Sequence, residues 1–165
     1  MDFVYRQANL GDLERIWEIN ILDNPDDKRW IDWKNEAIDN NKKNISRTFV
    51  ILCDGVPIGE GTLLFSPKCR AVAGRTQLAD NLKVANINAL RIQKSYEGKG
   101  HISNLMHIIE KSALEMGYTH LTIGVEARET RNLAIYLHWG YDKFVLSEVE
   151  DGALVLYYSK TLSTR

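Results

Sequence analysis

Cysteine is scarce: only Cys53 and Cys69 occur in 165 residues, with no Cys-x-x-Cys and no histidine cluster beside them. That spacing excludes a disulfide framework or a zinc ribbon, so a reduced, cytoplasmic setting and no bound metal are expected. An excess of either charge is also missing. With a formal net charge of −1 the chain has no field to hold nucleic acid or an anionic membrane. No stretch approaches the ~20 apolar residues of a membrane span. The opening MDFVYRQ has neither the basic segment nor the apolar core of a secretory leader, so none is expected. There are three prolines, and neither an internal repeat nor a low-complexity tract is found.

What is present is enough apolar material for a core. With 44% hydrophobic and 26% charged residues the chain reads as one domain, residues 1–165. Phe3 to Gln7 has strand character. Asn9 can cap a helix over about 10–22, with Leu13, Ile16, Trp17 and Asn20 on its inner face. Asp23-Asn24-Pro25-Asp26-Asp27 breaks that helix, and a second, bearing Trp30, Trp33, Ala37 and Ile38, runs to the polar stretch Asn40–Asn44. This aromatic and acidic pair reads either as a wall selecting a cationic substrate or as core tryptophans with solvated acids at helix starts.

Thr48 to Cys53 and Val56 to Phe65 flank Asp54-Gly55, a strong hairpin signal, and Glu60 lies between two glycines in the second strand. Ser66 to Asn81 reads as a long loop. From Lys83 to Gln93 the apolar residues fall at Ala85, Ile87 and Ala89 and then, one step out of phase, at Leu90 and Ile92. A one-residue slip in a period-two pattern predicts a β-bulge near Ala89–Leu90.

The stretch LRIQKSYEGKGHISNL, Leu90 to Leu105, then reads as strand, glycine loop and helix. Main-chain N–H groups of such a loop, with the unpaired donors of the first helical turn, suit phosphate oxygens. The loop has neither G-x-x-x-x-G-K-[ST] nor G-x-G-x-x-G, which argues against a P-loop or dinucleotide site. The helix from about His101 to Met116 carries Ile102, Leu105, Ile109, Ala113 and Met116 on one stripe and stops at Gly117. A strand over Leu121–Glu126, a short helix over 130–139 ended by Gly140, and a hairpin of Tyr141–Glu148 with Ala153–Lys160 complete the chain. The expected fold is α/β of the α+β kind: a mixed, mostly antiparallel sheet of seven strands with four helices on its faces.

This order, together with Leu90–Tyr141 and the hairpin DGVPIGEGTL, resembles the GNAT superfamily of N-acyltransferases over nearly the whole chain. The resemblance implies acetyl-CoA as acyl donor. It implies that main-chain groups of Leu90, Arg91 and Ile92 meet the pantetheine arm and that Glu97, Gly98, Lys99, Gly100, His101, Ile102 and Ser103 hold the pyrophosphate. It further implies that Tyr136, in IYLHWGY, protonates the leaving thiolate. Two positions depart from the family pattern. Glu97 stands where a basic or amide residue is usual, and Glu129 replaces a common asparagine, for which Asn132 is the substitute.

Transfer to an amine also needs a base. Glu126 is the first choice and Glu60 the second. The four histidines, His101, His107, His120 and His138, show no spacing of a triad or metal site. The expected activity is N-acetylation of a primary amine on a small molecule by direct transfer, with a catalytically silent acyl-CoA-binding module as the alternative. A homodimer through the Val155–Tyr158 hairpin is expected as well.

Overall fold

The structure, a computed structural model, describes residues 1–163. Its elements are β1 (Phe3–Gln7), α1 (Leu10–Asp23), α2 (Arg29–Lys42), β2 (Ser46–Cys53), β3 (Val56–Leu64), β4 (Val84–Ile92), α3 (His101–Glu115), β5 (His120–Glu126), α4 (Thr130–His138), β6 (Lys143–Glu150) and β7 (Ala153–Thr161). A single 3-10 turn, Lys94–Tyr96, was not legible in the sequence. The seven strands form one open mixed sheet in the order β1-β2-β3-β4-β5-β7-β6. The chain divides into two compact units, one of Met1–Leu63 with Ala89–Lys111, the other of Leu64–Asn88 with the chain from Ser112 onward.

In the first unit α1 begins on a capping box, in which Asn9 Oδ1 accepts from the Asp12 N–H and Asp12 returns a carboxylate to the Asn9 N–H. Leu13, Ile16 and Trp17 are buried, as the periodicity predicts. β1 pairs antiparallel with β2 from Phe3↔Cys53 to Gln7↔Phe49. Asp54 and Gly55, at φ +48° and +80°, form the two-residue turn that leads into β3.

The second helix departs from expectation at its end and in its burial. α2 continues through Asn40–Lys42 because the Asn41 amide donates to the Ala37 carbonyl and to Thr48 Oγ1 and accepts from the Thr48 N–H, so a polar residue anchors the last turn. No α2 residue is fully buried, and Trp30 and Trp33 are half-buried rather than core.

In the second unit the loop before β4 is closed by Asp80, whose carboxylate accepts N–H bonds from Leu82, Lys83 and Val84 at 2.8–2.9 Å. The first half of β4 pairs parallel with β5, β5 antiparallel with β7, and β6 antiparallel with β7. The closing turn is Asp151-Gly152, at φ +51° and +80°.

β6 begins at Lys143 rather than Tyr141, because Tyr141 belongs to the stop of α4. Gly140 has φ +96°, its N–H reaches the Leu137 carbonyl, and the Tyr141 N–H reaches Tyr136 O at 3.0 Å, leaving Tyr141 fully buried. The same stop ends α3 at Gly117, φ +94°, with Tyr118 N–H on Ala113 O. Tyr118 turns inward and stacks on Phe65 at 5.2 Å, so Met116, expected on the apolar stripe, is 39% exposed.

Candidate active site

The phase slip in β4 has a backbone counterpart. The parallel ladder with β5 comprises Val84–Ile87 opposite His120–Ile123, and Ala89 then takes φ +56°. A non-glycine residue held there costs of order 1–3 kcal/mol and persists only where its surroundings impose it. Beyond the break, Leu90, Arg91 and Ile92 lie against β3. A Cβ at Gly59 would come within 3.0 Å of the Arg91 carbonyl oxygen, and one at Gly61 within 2.9 Å of Leu90 Cδ1. The glycines on either side of Glu60 thus allow β3 to approach the strand closely.

After β4 the Gln93 N–H bonds to Ile58 O, the 3-10 turn closes, and Gly98 and Gly100 take φ +73° and +85°. A Cβ at either glycine would meet nothing within 4 Å, so the requirement there is conformational and the loop surface is open. The first backbone bond into α3 is Asn104 N–H to Gly100 O. Among the described residues, the main-chain N–H groups from Gly98 to Ser103 donate to no partner in the protein. Glu97 and Lys99 are exposed, which spares an incoming anion the unscreened charge of Glu97. An open run of free donors at a helix N-terminus fits a diphosphate.

His101 is buried and does not face the loop as a free base. Its Nδ1 lies 2.7 Å from the Tyr5 hydroxyl, to which Asn104 Nδ2 donates at 3.2 Å, and the Phe3 ring packs 4.3 Å from its own. This contact, 96 residues apart in sequence, orients the first turn of α3 and had no signal in the residue pattern.

Beside Arg91 is a second cluster. Glu60 is 1% exposed, and its Oε2 accepts from Asn20 Nδ2 at 2.7 Å and lies 3.3 Å from Arg91 Nη2. The Arg91 guanidinium sits over the rings of Trp17, at 5.4 Å, and Trp30, at 4.9 Å. The family resemblance assigns Arg91 only its main chain, and Glu60 stands second to Glu126 as a base. The signal was an acid between glycines in an otherwise apolar strand.

Of the other expected residues, Tyr136 is half-buried in α4 beside Trp139. Burial, and then the charge of Glu129, pushes its hydroxyl above the usual tyrosine range, so it keeps a proton to give. Asn132 donates its side-chain amide to Glu129 at 3.0 Å, and both are exposed. Glu126 accepts from Arg128 Nε at 2.6 Å. The acidic run after α1 is partly consumed, because Asp27 pairs with Arg29 at 2.9 Å while Asp23 and Asp26 are exposed. Among the described residues no group of three or more His, Cys, Asp or Glu side chains could hold a metal ion, and no helix is long and apolar enough to cross a membrane.

The fold has many counterparts among solved structures. An N-acetyltransferase from Staphylococcus aureus Mu50 superposes with a TM-score of 0.71 at 17% identity, covering 99% of this chain and 100% of that one. A Thermoplasma acidophilum N-acetyltransferase in complex with coenzyme A gives 0.65 at 16% identity over 98% and 99%. A GNAT family acetyltransferase from Elizabethkingia anophelis with acetyl-CoA bound gives 0.62 at 14% identity over 97% and 98%. At these identities the likeness establishes the fold alone. No curated protein matches the sequence. The model of the acetyltransferase (GNAT) family matches residues 10–141, which is most of the chain. The chain therefore belongs to the GNAT family of acetyltransferases, enzymes that take their acyl group from acetyl-CoA.

Proposed function

We propose that this protein moves the acetyl group of acetyl-CoA onto the primary amine of a small molecule by direct transfer. The observation that carries this reading lies along one stretch of chain, where a left-handed break at Ala89 is followed by undirected main-chain donors from Gly98 to Ser103. Leu90, Arg91 and Ile92 offer main-chain groups to the amide-bearing arm. Glu97, Gly98, Lys99, Gly100, His101, Ile102 and Ser103 surround the diphosphate, with Asn132 as a further contact.

Acetyl-CoA supplies an activated acyl group: the acceptor ammonium first loses a proton to the base, then the neutral amine nitrogen bonds to the thioester carbon as the C–S bond breaks. A second N–H proton is lost as the thiolate gains one, giving an amide and a free thiol with one proton released overall. The N–H of Leu90 or Ile92 donates to the carbonyl oxygen as it gains charge. Tyr136 gives its proton to the sulfur; burial and the charge of Glu129 keep the hydroxyl in its protonated form until then. For the base, Glu60 moves ahead of Glu126. Glu60 borders Arg91 in the bulged strand, whereas a Glu126 oxygen is taken by Arg128.

The same proposal puts the enzyme in a reducing cytoplasm, Cys53 and Cys69 both being buried thiols. It works as a homodimer through the Val155–Tyr158 segment of β7, beside which Phe144, Val149 and Leu154 are exposed. Thiol release from acetyl-CoA across a panel of amines tests the activity. Amine-dependent turnover is expected. Measurable CoA binding without turnover on any amine would instead leave an acyl-CoA-binding module, the reading that Glu97 and Glu129 favour.

A further inference from the structure

We propose that the amine acceptor is a zwitterion, a free amino acid whose carboxylate is read by Arg91 and Trp17 and whose ammonium is read by Glu60. The inference rests on the acetyl-transfer reading above, since it takes the side chain of Arg91 to stand beside the acyl group that the main chain of Leu90–Ile92 would hold.

Three observations carry it. The first is an imbalance of donors. The Trp17 indole Nε1 and the Arg91 Nε are buried and make no hydrogen bond. The buried Arg91 Nη2 meets Glu60 only as an ion pair at 3.3 Å, outside hydrogen-bond geometry, because the Glu60 oxygen it faces already takes Asn20 Nδ2. Trp17 is 5% exposed, so its N–H has given up water without a replacement. A buried donor left unpaired is unfavourable, and a ligand with two acceptor oxygens in a plane matches both the surplus and the fork of a guanidinium.

The second observation is the charge pattern. Arg91 and Glu60 lie 3.3 Å apart and neutralise each other, with Glu60 almost wholly buried. A ligand bearing only an ammonium takes Glu60 and leaves the guanidinium unpaired among indole rings, and an isolated buried charge is strongly unfavourable. A ligand carrying both charges a few bonds apart inserts into the pair and gives each member a new partner. The third is that the alternative wall for a plain cation is weak, since Asp27 is already held by Arg29.

The test compares each common L-amino acid with its carboxamide and its decarboxylated amine as acceptors for the wild-type protein with acetyl-CoA. The free amino acid of at least one set is expected to exceed both analogues in kcat/KM by about 10²-fold or more, because a site built for a polar group rejects the analogue lacking it. Arg91→Met should lower kcat/KM for that amino acid toward the value for its carboxamide, mostly through KM. Carboxamides or decarboxylated amines acetylated as well as the amino acids would overturn the inference and leave the acetyl-transfer reading intact. No acetylation of any amine would overturn both. The wild-type comparison decides the matter even where the Arg91 variant does not fold.

Discussion

At the scale of single residues, the chemistry divides between a side chain that holds a proton and two positions that must lack one. Tyr136 stays protonated because burial and Glu129 both disfavour the phenolate. On this account Tyr136→Phe lowers kcat by roughly 10²-fold while leaving the affinity for CoA nearly unchanged. The alkaline limb of the wild-type rate profile falls above the ordinary tyrosine range, because the proton is lost only as pH rises through the raised value. Equal turnover by the variant would remove Tyr136 from the reaction. Gly59 and Gly61 give a contrast in stability. A methyl at Gly59 meets a main-chain oxygen at 3.0 Å, whereas one at Gly61 meets the methyl ends of Ile109 and Leu90, each at 2.9 Å. Overpacking costs about 1–3 kcal/mol, and Gly59→Ala is expected at the upper end, with Gly61→Ala below it because side-chain tips can rotate away. Denaturant unfolding that ranks the two in the opposite order would show that the approach of β3 to Arg91 is not held by the backbone.

At the scale of elements, β4 is prepared from both ends. Before it, Asp80 gathers three main-chain N–H groups. Burial alone would raise the Asp80 carboxyl, but the bonds from Val84, Lys83 and Leu82 outweigh it and hold the group below its usual range. A depressed folded-state value contributes stability that is present above the unfolded value, near ~3.9, and is lost as pH falls through the folded one. Asp80→Ala is therefore expected to lower stability at pH 7 by about 1–3 kcal/mol and to flatten the acid limb of the stability profile. An unchanged midpoint at pH 7 would contradict this.

At the other end of β4, the phase slip from Ala89 to Leu90 was readable because a period-two pattern tolerates no silent shift, and it appears as the left-handed Ala89. The turns at Asp54-Gly55 and Asp151-Gly152 were equally legible, since their positive φ values demand those residues. The end of α2 was not legible. It depends on Asn41 reaching Thr48, a contact that composition alone cannot announce.

At the scale of the whole molecule, element order and hydrophobic period suffice for a mixed seven-stranded sheet, because α1, β2, β5 and α3 bury apolar residues that their own patterns mark. The acceptor side was far less legible. The meeting of Trp17, Asn20, Trp30, Glu60 and Arg91 joins α1, α2, β3 and β4, and local periodicity carries no term for such distances. The donor side proposed here uses main-chain atoms of two short stretches, Leu90–Ile92 and Gly98–Ser103, whose strand break and glycine loop the residue pattern does mark. That claim is also the one on which the functional account stands. Residue-resolved amide hydrogen exchange with and without acetyl-CoA tests it most directly. The account predicts slowed exchange centred on Leu90–Ile92 and Gly98–Ser103, and acetyl-CoA that binds while leaving those amides at their free rates would contradict it.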